Sequence, residues 1–209
     1  MLRDAAVDII AKRLGQRTDL TSDIIAEMQL IQATTLERNG KFFPWFLLSE
    51  WSSASTVASE ERVALPTDFL CESEEYPFQI LDSNGAWQNL TKRAYDYAFE
   101  MYPASEALPV LYAVGDDYFY LRPIPDAVYT IRMRYFKRGL SLATNIENVW
   151  LKWAPDLVIA LVGEVMARQY TQNNALADTF AAKAGTAGEM LYSQHMAREE
   201  ANRERNMVA

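Results

Sequence analysis

Histidine and cysteine are nearly absent from this chain of 209 residues, which has one of each, His195 and Cys71. One cysteine excludes an internal disulfide and a zinc site built from several cysteines. One histidine leaves no second imidazole for a metal site, and no nucleophile signature accompanies it. We therefore expect His195 to lie exposed on a helix and Cys71 to be a small packed residue of a strand. No cofactor and no metal are expected.

Long apolar runs are missing as well. The longest, residues 157–163, falls far short of the roughly 18 apolar residues that a membrane helix needs, and its length suits a buried helix. Residues 1–4 do not place an apolar region behind a basic start, so we expect no secretory signal. No membrane partner is expected.

Excess positive charge is the third absence. The chain has 20 Lys and Arg against 28 Asp and Glu, which gives a formal net charge of −8. Phosphate binding depends on clustered Lys and Arg, so this balance argues against a surface that wraps DNA or RNA tightly.

Sequence motifs of catalysis are not found. Gly115-Asp116-Asp117 superficially resembles the metal-binding turn of RNA-dependent polymerases, but such enzymes need a further aspartate motif and a far longer chain. The same three residues, between two apolar runs, predict a primed hairpin turn with a positive φ. Gly185 and Gly188 are too close together to form a dinucleotide loop. An enzyme on an unrecognised scaffold remains an alternative.

Both ends of the chain carry apolar residues at helical spacing. The predicted helices cover residues 2–14, 21–40, 155–170 and 175–203. A hydroxyl at Thr21 or Ser22 is expected to cap the second helix, which Asn39 and Gly40 would end. In the last helix, one face is predicted to hold Phe180, Ala184, Ala187 and Leu191, with Ala181, Gly185 and Gly188 as small neighbours that admit another helix.

The middle of the chain is predicted to form β-strands. They are expected at residues 46–48, 56–58, 62–66, 69–72, 78–81, 86–90, 110–114 and 118–121, with a short helix at 91–101. Asn84-Gly85, between two of these runs, is a strong hairpin signal.

The clearest strand pattern lies between Tyr118 and Arg138. Two runs flank the turn at residues 123–126, and the second run alternates apolar with polar residues. That period of two is typical of a half-buried β-ribbon. The alternating residues are apolar Ile131, Met133 and Tyr135 and polar Thr130, Arg132 and Arg134.

These patterns together predict the α+β class. We expect a helical bundle formed by the N- and C-terminal helices, residues 1–40 and 140–209. An antiparallel β-module, residues 41–139, would be inserted between them.

Charged and aromatic residues are the candidates for contacts. Acidic and basic clusters of the β-module would cover solvated strand faces or complement each other within or between subunits; a phosphate site is a further alternative. These clusters are Glu72, Glu74 and Glu75 and Arg132, Arg134, Lys137 and Arg138. The tryptophans suit either a permanent protein–protein interface or an ordinary core; they are Trp45, Trp51, Trp87, Trp150 and Trp153.

The order of four segments resembles a known family. Val-Ala-Leu-Pro-Thr-Asp-Phe-Leu at residues 63–70 comes first, and Tyr-Leu-Arg-Pro-Ile-Pro-Asp-Ala-Val-Tyr-Thr-Ile follows at 120–131. Arg-Tyr-Phe at 134–136 and Trp-Leu-Lys-Trp-Ala-Pro-Asp-Leu at 150–157 complete the set. This order resembles the adaptor proteins of short-tailed phages, the class that includes tail tubular protein A.

The resemblance implies a structural virion protein of the phage neck, assembled in the host cytoplasm, and not an enzyme. It would form a ring, expected to have twelve copies, that joins the portal protein to the tail nozzle protein while DNA passes without specific binding. The alternative is another head-completion or tail or fibre connector.

The resemblance also directs the choice of contact residues to the helical end of the chain and to the β-module. Portal binding is expected from Arg198, Arg203, Arg205, Met207 and Val208. Contacts between subunits or with the nozzle are expected from Arg132, Arg134, Lys137, Glu72 and Glu74.

Overall fold

The computed structural model describes residues 1–38, 43–73 and 77–208, with the side chains of the last helix described to Ala201. The fold is α+β, as predicted. The chain contains two compact units, which we call the helical unit (Met1–Leu47 with Gly139–Ala209) and the β unit (Leu48–Arg138). That each folds as a separate domain stays a prediction. Glu74, Glu75, Asn39 and Gly40 lie outside the described residues.

Each long helix of the helical unit buries one apolar stripe. Ile10, Ile24, Met28 and Val158 are fully buried, so the stripes read from the sequence form a common core. The helices are α1 (Arg3–Arg13), α2 (Thr21–Ile31), α4 (Val149–Trp153), α5 (Pro155–Val165) and α6 (Asn174–Val208). The shorter turns are 3-10 turns at Thr18–Leu20 and Trp45–Leu47 and π-turns at Gln32–Leu36 and Met166–Tyr170.

Two local predictions for the helical unit are wrong. Thr21 does not cap α2, because a 3-10 turn leads directly into this helix and the Thr21 hydroxyl donates to the Thr18 carbonyl at 2.8 Å. The strand predicted at residues 46–48 is a 3-10 turn at its start, and the Phe46 ring packs edge-on against Trp150 at 5.1 Å. The Phe46 side chain therefore takes part in an aromatic contact of the helical unit and not in a strand.

The close approach of two helices also lies elsewhere than expected. Phe180 and Leu191 are buried on α6 as predicted, but Gly185 and Gly188 have no atom within 4 Å of the position of an added Cβ. The tight contact is made by Gly163 of α5, which lies against the Phe180 ring.

The β unit contains three sheets among the described residues. One has the order β1 (Ser52–Ser55), β9 (Thr130–Met133), β4 (Phe78–Leu81), β5 (Trp87–Asn89). Another has the order β2 (Arg62–Ala64), β8 (Tyr118–Arg122), β7 (Leu111–Val114), β6 (Thr91–Lys92), in which only β6 and β7 are parallel. The third pairs β3 (Phe69–Glu72) with β10 (Tyr135–Lys137), and α3 (Tyr95–Met101) follows β6.

The alternation of β9 is confirmed, but the predicted ribbon is wrong. Ile131 and Met133 are buried and Thr130 is exposed. β8 and β9, however, do not pair with each other, because β9 lies between β1 and β4 while β8 lies between β2 and β7. The Pro123–Asp126 segment therefore connects two sheets and is not a hairpin turn.

The two predicted hairpin turns differ. Residues 82–85 join β4 and β5 as expected, with Gly85 at φ +79° and the Asp82 carboxylate accepting from the backbone N–H of Asn84. Gly115 joins β7 and β8 without a positive φ, so the primed turn predicted there is wrong.

Two other predicted boundaries moved. The strand predicted at 56–58 lies earlier, as β1. The helix predicted at 91–101 begins at Tyr95, because Thr91 and Lys92 pair with β7.

Candidate functional site

Arg198, near the end of the part of α6 whose side chains are described, contacts two tryptophan rings. The guanidinium carbon of Arg198 lies 4.3 Å from the ring centroid of Trp45 and 5.8 Å from that of Trp153. The two indoles contact each other at 6.0 Å, and Trp153 is 44% exposed. We call these three residues the Arg198 stack. A cation–π contact of this kind contributes about 0.5–1 kcal/mol at an exposed site and restrains a long side chain.

His195 lies one turn before this stack and is not exposed, contrary to the prediction. Only 8% of its surface is accessible, and its Nε2 lies 3.3 Å from an Oε1 atom of Glu199. His195 is buried because it lies on the same face of α6 as the buried Leu191, four residues earlier.

The other residues predicted to bind the portal lie in the last turns of α6. The backbone of this helix extends to Val208, but the side chains beyond Ala201 are outside the description. Arg203, Arg205, Met207 and Val208 therefore follow the Arg198 stack along the same helix.

A second cluster lies on the sheet that contains β9. Arg132 lies 4.1 Å from the ring centroid of Trp87 and 4.5 Å from that of Trp51, and its Nε donates to Gln79 Oε1 at 2.7 Å. The Gln79 amide donates in turn to Asn89 Oδ1 at 2.7 Å. We call these five residues the Arg132 platform. Strand pairing explains the platform. One row of cross-strand neighbours runs over the four strands of this sheet and contains Ser53, Arg132, Gln79 and Asn89.

The acidic residue of the β unit that sequence reasoning singled out has a different partner. Glu72 forms an ion pair with Lys92, not with the basic cluster of β9 and β10. Burial, followed by the charge of Glu72, raises the pKa of the Tyr112 phenol. Burial likewise raises the pKa of the neighbouring Cys71 to about 11, which leaves this half-buried thiol uncharged near neutral pH.

Sequence reasoning missed a buried cation. Arg122 is 1% exposed, lies 3.7 Å from the ring centroid of Phe99 on α3, and forms an ion pair with Glu61. Its signal was weak, since an arginine between Leu121 and Pro123 looks like the polar member of an alternating strand.

Within residues 1–38, 43–73 and 77–208, no group of three or more His, Cys, Asp or Glu side chains could hold a metal ion. In the same ranges, no helix combines the length and the apolar character of a membrane span.

Comparison with known proteins gives the family. The family model described as the SU10 adaptor protein matches residues 2–208, nearly the whole chain. No curated protein matches the chain. The resemblance to phage head-to-tail adaptors, which rested on four short segments, is thereby confirmed. The chain belongs to the SU10 adaptor protein family and is a phage adaptor protein.

Proposed function

We propose that this protein forms a ring between the portal protein and the tail nozzle protein, and that DNA passes through the ring. The observation that carries the proposal is the family match over residues 2–208. The resemblance of the motifs to short-tailed phage adaptors supplies the expected copy number of twelve.

We assign portal binding to the end of α6. A helix of 35 residues is about 52 Å long, because each residue adds about 1.5 Å. The Arg198 stack anchors this helix near residue 198, and about 15 Å of helix follows it. That last part carries cationic and apolar residues that suit a protein partner, namely Arg203, Arg205, Met207 and Val208.

We assign the contacts between subunits or with the nozzle to the β unit. Arg134 is exposed, and Arg132 and Lys137 are half-buried. Glu72 is engaged by Lys92 and contributes its charge only as part of that pair. Glu74 lies outside the described residues, so its role in these contacts stays a prediction.

The charge of the chain supports free passage of DNA. A formal net charge of −8 means that a ring of many copies is strongly acidic. Such a ring repels phosphates more than it binds them, and DNA could slide without being clamped.

Deletion of residues 202–209 tests the portal contact. The cut leaves the Arg198 stack in place, so the unfolding midpoint should equal that of the full chain. We expect loss of co-sedimentation with portal protein, and loss of adaptor density below the portal in electron microscopy.

A second variant keeps the full length of α6 and changes only the charge of its last turns. Arg203→Glu with Arg205→Glu should weaken portal binding without shortening α6. A truncated chain that binds portal as well as the full chain, or a full chain that binds fibre protein and not portal, would refute the assignment.

A further inference from the structure

The Arg132 platform places one guanidinium against two indoles, those of Trp51 and Trp87. Nε of Arg132 is occupied by Gln79, while no hydrogen bond joins either terminal nitrogen to any residue in the described part of the chain. The two ring contacts and the Nε bond restrict the rotamers of this long side chain. Arg132 therefore presents the N–H groups of its two terminal nitrogens from a restrained side chain, which loses less conformational entropy on binding than a free arginine.

We propose that this fork receives a carboxylate of Asp116 or Asp117 from a second copy of the chain. The inference rests on the proposed ring and names one contact within it. A planar guanidinium fork matches a carboxylate through two parallel hydrogen bonds. Arg134 is exposed two residues further along the chain and adds positive charge near the fork.

The turn between β7 and β8 has the complementary features. Asp116 and Asp117 are both exposed, and in the described ranges neither carboxylate has an ion pair or a hydrogen bond. The backbone of the turn is fixed, because Gly115 N–H donates to the Tyr118 carbonyl and Leu65 N–H donates to the Asp117 carbonyl, each at 2.9 Å. The turn is thus a rigid acidic projection.

Several other carboxylates of the β unit already have a role. Glu60 pairs with Arg62, and Glu61 pairs with Arg122. Asp96 lies in the first turn of α3, where its charge complements the helix dipole. Glu50, Glu100 and Glu106 are exposed as well, but each is a single carboxylate, whereas the turn carries two adjacent ones, and this favours the turn as the source of the carboxylate.

The fork and the turn belong to different sheets. Arg132 lies in the sheet of order β1-β9-β4-β5, and the turn joins two strands of the sheet of order β2-β8-β7-β6. Each copy offers one fork and one turn, so the same contact can repeat from one copy to the next around an axis. Contacts of this heterologous kind close into rings when the rotation between neighbours is fixed. In a chain of net charge −8, they also offset repulsion between neighbours.

A charge exchange tests the contact. Full-length variants are mixed with portal protein, and rings are counted by electron microscopy and native mass spectrometry over a range of concentrations. Asp116→Arg with Asp117→Arg should raise the concentration of half-maximal ring assembly at least about tenfold, since cations would then face the fork. Arg132→Glu should have a similar effect.

Combining all three changes in one chain should restore assembly, because the exchanged turn then meets an exchanged fork on the neighbour. The matched control combines Arg132→Glu with Glu100→Arg on α3, which is exposed and should restore nothing. The thermal unfolding midpoint of the turn variant should equal that of the natural chain, because the turn is exposed. This variant keeps the test decisive even if Arg132→Glu weakens the fold.

The outcomes separate this contact from the ring itself. If the natural chain forms rings and the turn variant assembles at the same concentration, the contact is wrong and the ring stands. A folded triple variant that assembles no better than Arg132→Glu alone also overturns the contact. If the natural chain forms no ring with portal, both proposals fail.

Discussion

Gly163 of α5 and Phe180 of α6 approach so closely that a Cβ atom on Gly163 would lie 2.5 Å from Cε1 of the Phe180 ring. Both residues are buried. Non-bonded carbon atoms pack at about 3.5–4.0 Å, so only a glycine permits this separation of the two helices. The contact positions α6 on the helical unit.

Gly163→Ala should therefore destabilise the helical unit. Overpacking of a tight core costs about 1–3 kcal/mol, which exceeds the gain of about 0.5–1 kcal/mol from replacing a helical glycine by alanine. Urea unfolding followed by far-UV circular dichroism measures the change.

The matched control is Gly185→Ala on α6. Nothing lies within 4 Å of its added Cβ, so the substitution should stabilise the protein by about 0.5–1 kcal/mol. Equal effects at the two glycines would show that the Phe180 contact does not limit the helix spacing.

Glu37 joins the π-turn after α2 to the start of the returning chain. Its Oε1 atom accepts from the Gln32 amide at 2.7 Å, from the Gly139 N–H at 2.9 Å and from the Trp150 indole at 3.3 Å. Glu37→Ala leaves buried donors without an acceptor and should cost about 2–4 kcal/mol of unfolding free energy. Glu37→Gln retains an oxygen acceptor and should cost less than half as much in the same urea titration. Similar losses for both variants would contradict this role of the oxygen.

Local patterns in the sequence predicted the parts of the fold that depend on local periodicity. The stripes of α1, α2, α5 and α6 each come from residues three or four apart, so burial follows from the sequence alone. The partner of a stripe is a tertiary property. For that reason Gly185 and Gly188 looked suited to close packing, while the contact is at Gly163.

Strand partners escaped sequence reasoning for the same reason. The alternation of Ile131 and Met133 reports which side of β9 is buried, and it does not report which strands flank β9. Those strands, β1 and β4, lie roughly 50–80 residues earlier in the chain. The Arg132 platform depends on that pairing, so its residues were recognised as separate tryptophans and one basic cluster but not as one site.

The ion pair between Arg122 and Glu61 allows the free-energy cost of a buried charge to be measured. Arg122 is 1% exposed, and in the described part of the chain its Nε and Nη1 atoms have no hydrogen bond. Glu61→Gln removes the compensating charge and should cost about 2–3 kcal/mol, less than the roughly 3–5 kcal/mol of fully buried pairs, because Glu61 is half-buried.

The control replaces both partners. Glu61→Gln with Arg122→Met removes the uncompensated charge and should be more stable than Glu61→Gln alone in chemical denaturation. A double variant less stable than the single one would show that the Phe99 contact of Arg122 outweighs the cost of burying its charge.

Stability should fall at alkaline pH because of Tyr135. Burial, and then the hydrogen bond to Asp68, raises the pKa of this phenol from 10.0 to about 12. Above pH 10 the unfolded chain releases the proton while the folded chain keeps it, so the unfolded state binds fewer protons and stability decreases with pH. The contribution is fully present below pH 10 and is lost between pH 10 and about pH 12.

Tyr135→Phe isolates this contribution. Its unfolding free energy, measured by urea titration at steps from pH 8 to pH 12, should depend less on pH than that of the natural chain. Parallel pH profiles for the two proteins would exclude Tyr135 as a source of the alkaline loss.

Arg198 should act on portal binding through the direction of α6. Arg198→Ala removes a cation–π contact with Trp45 that is worth about 0.5–1 kcal/mol, so global stability changes little. Hydrogen exchange in residues 199–208 should become faster, because the end of the helix loses its anchor, and affinity for portal protein should decrease.

Arg198→Lys keeps a cation near the indoles and should recover part of the protection. Lys183→Ala, an exposed change earlier on α6, should alter neither measurement. Unchanged exchange in Arg198→Ala, together with weaker portal binding, would mean that Arg198 contacts the portal directly.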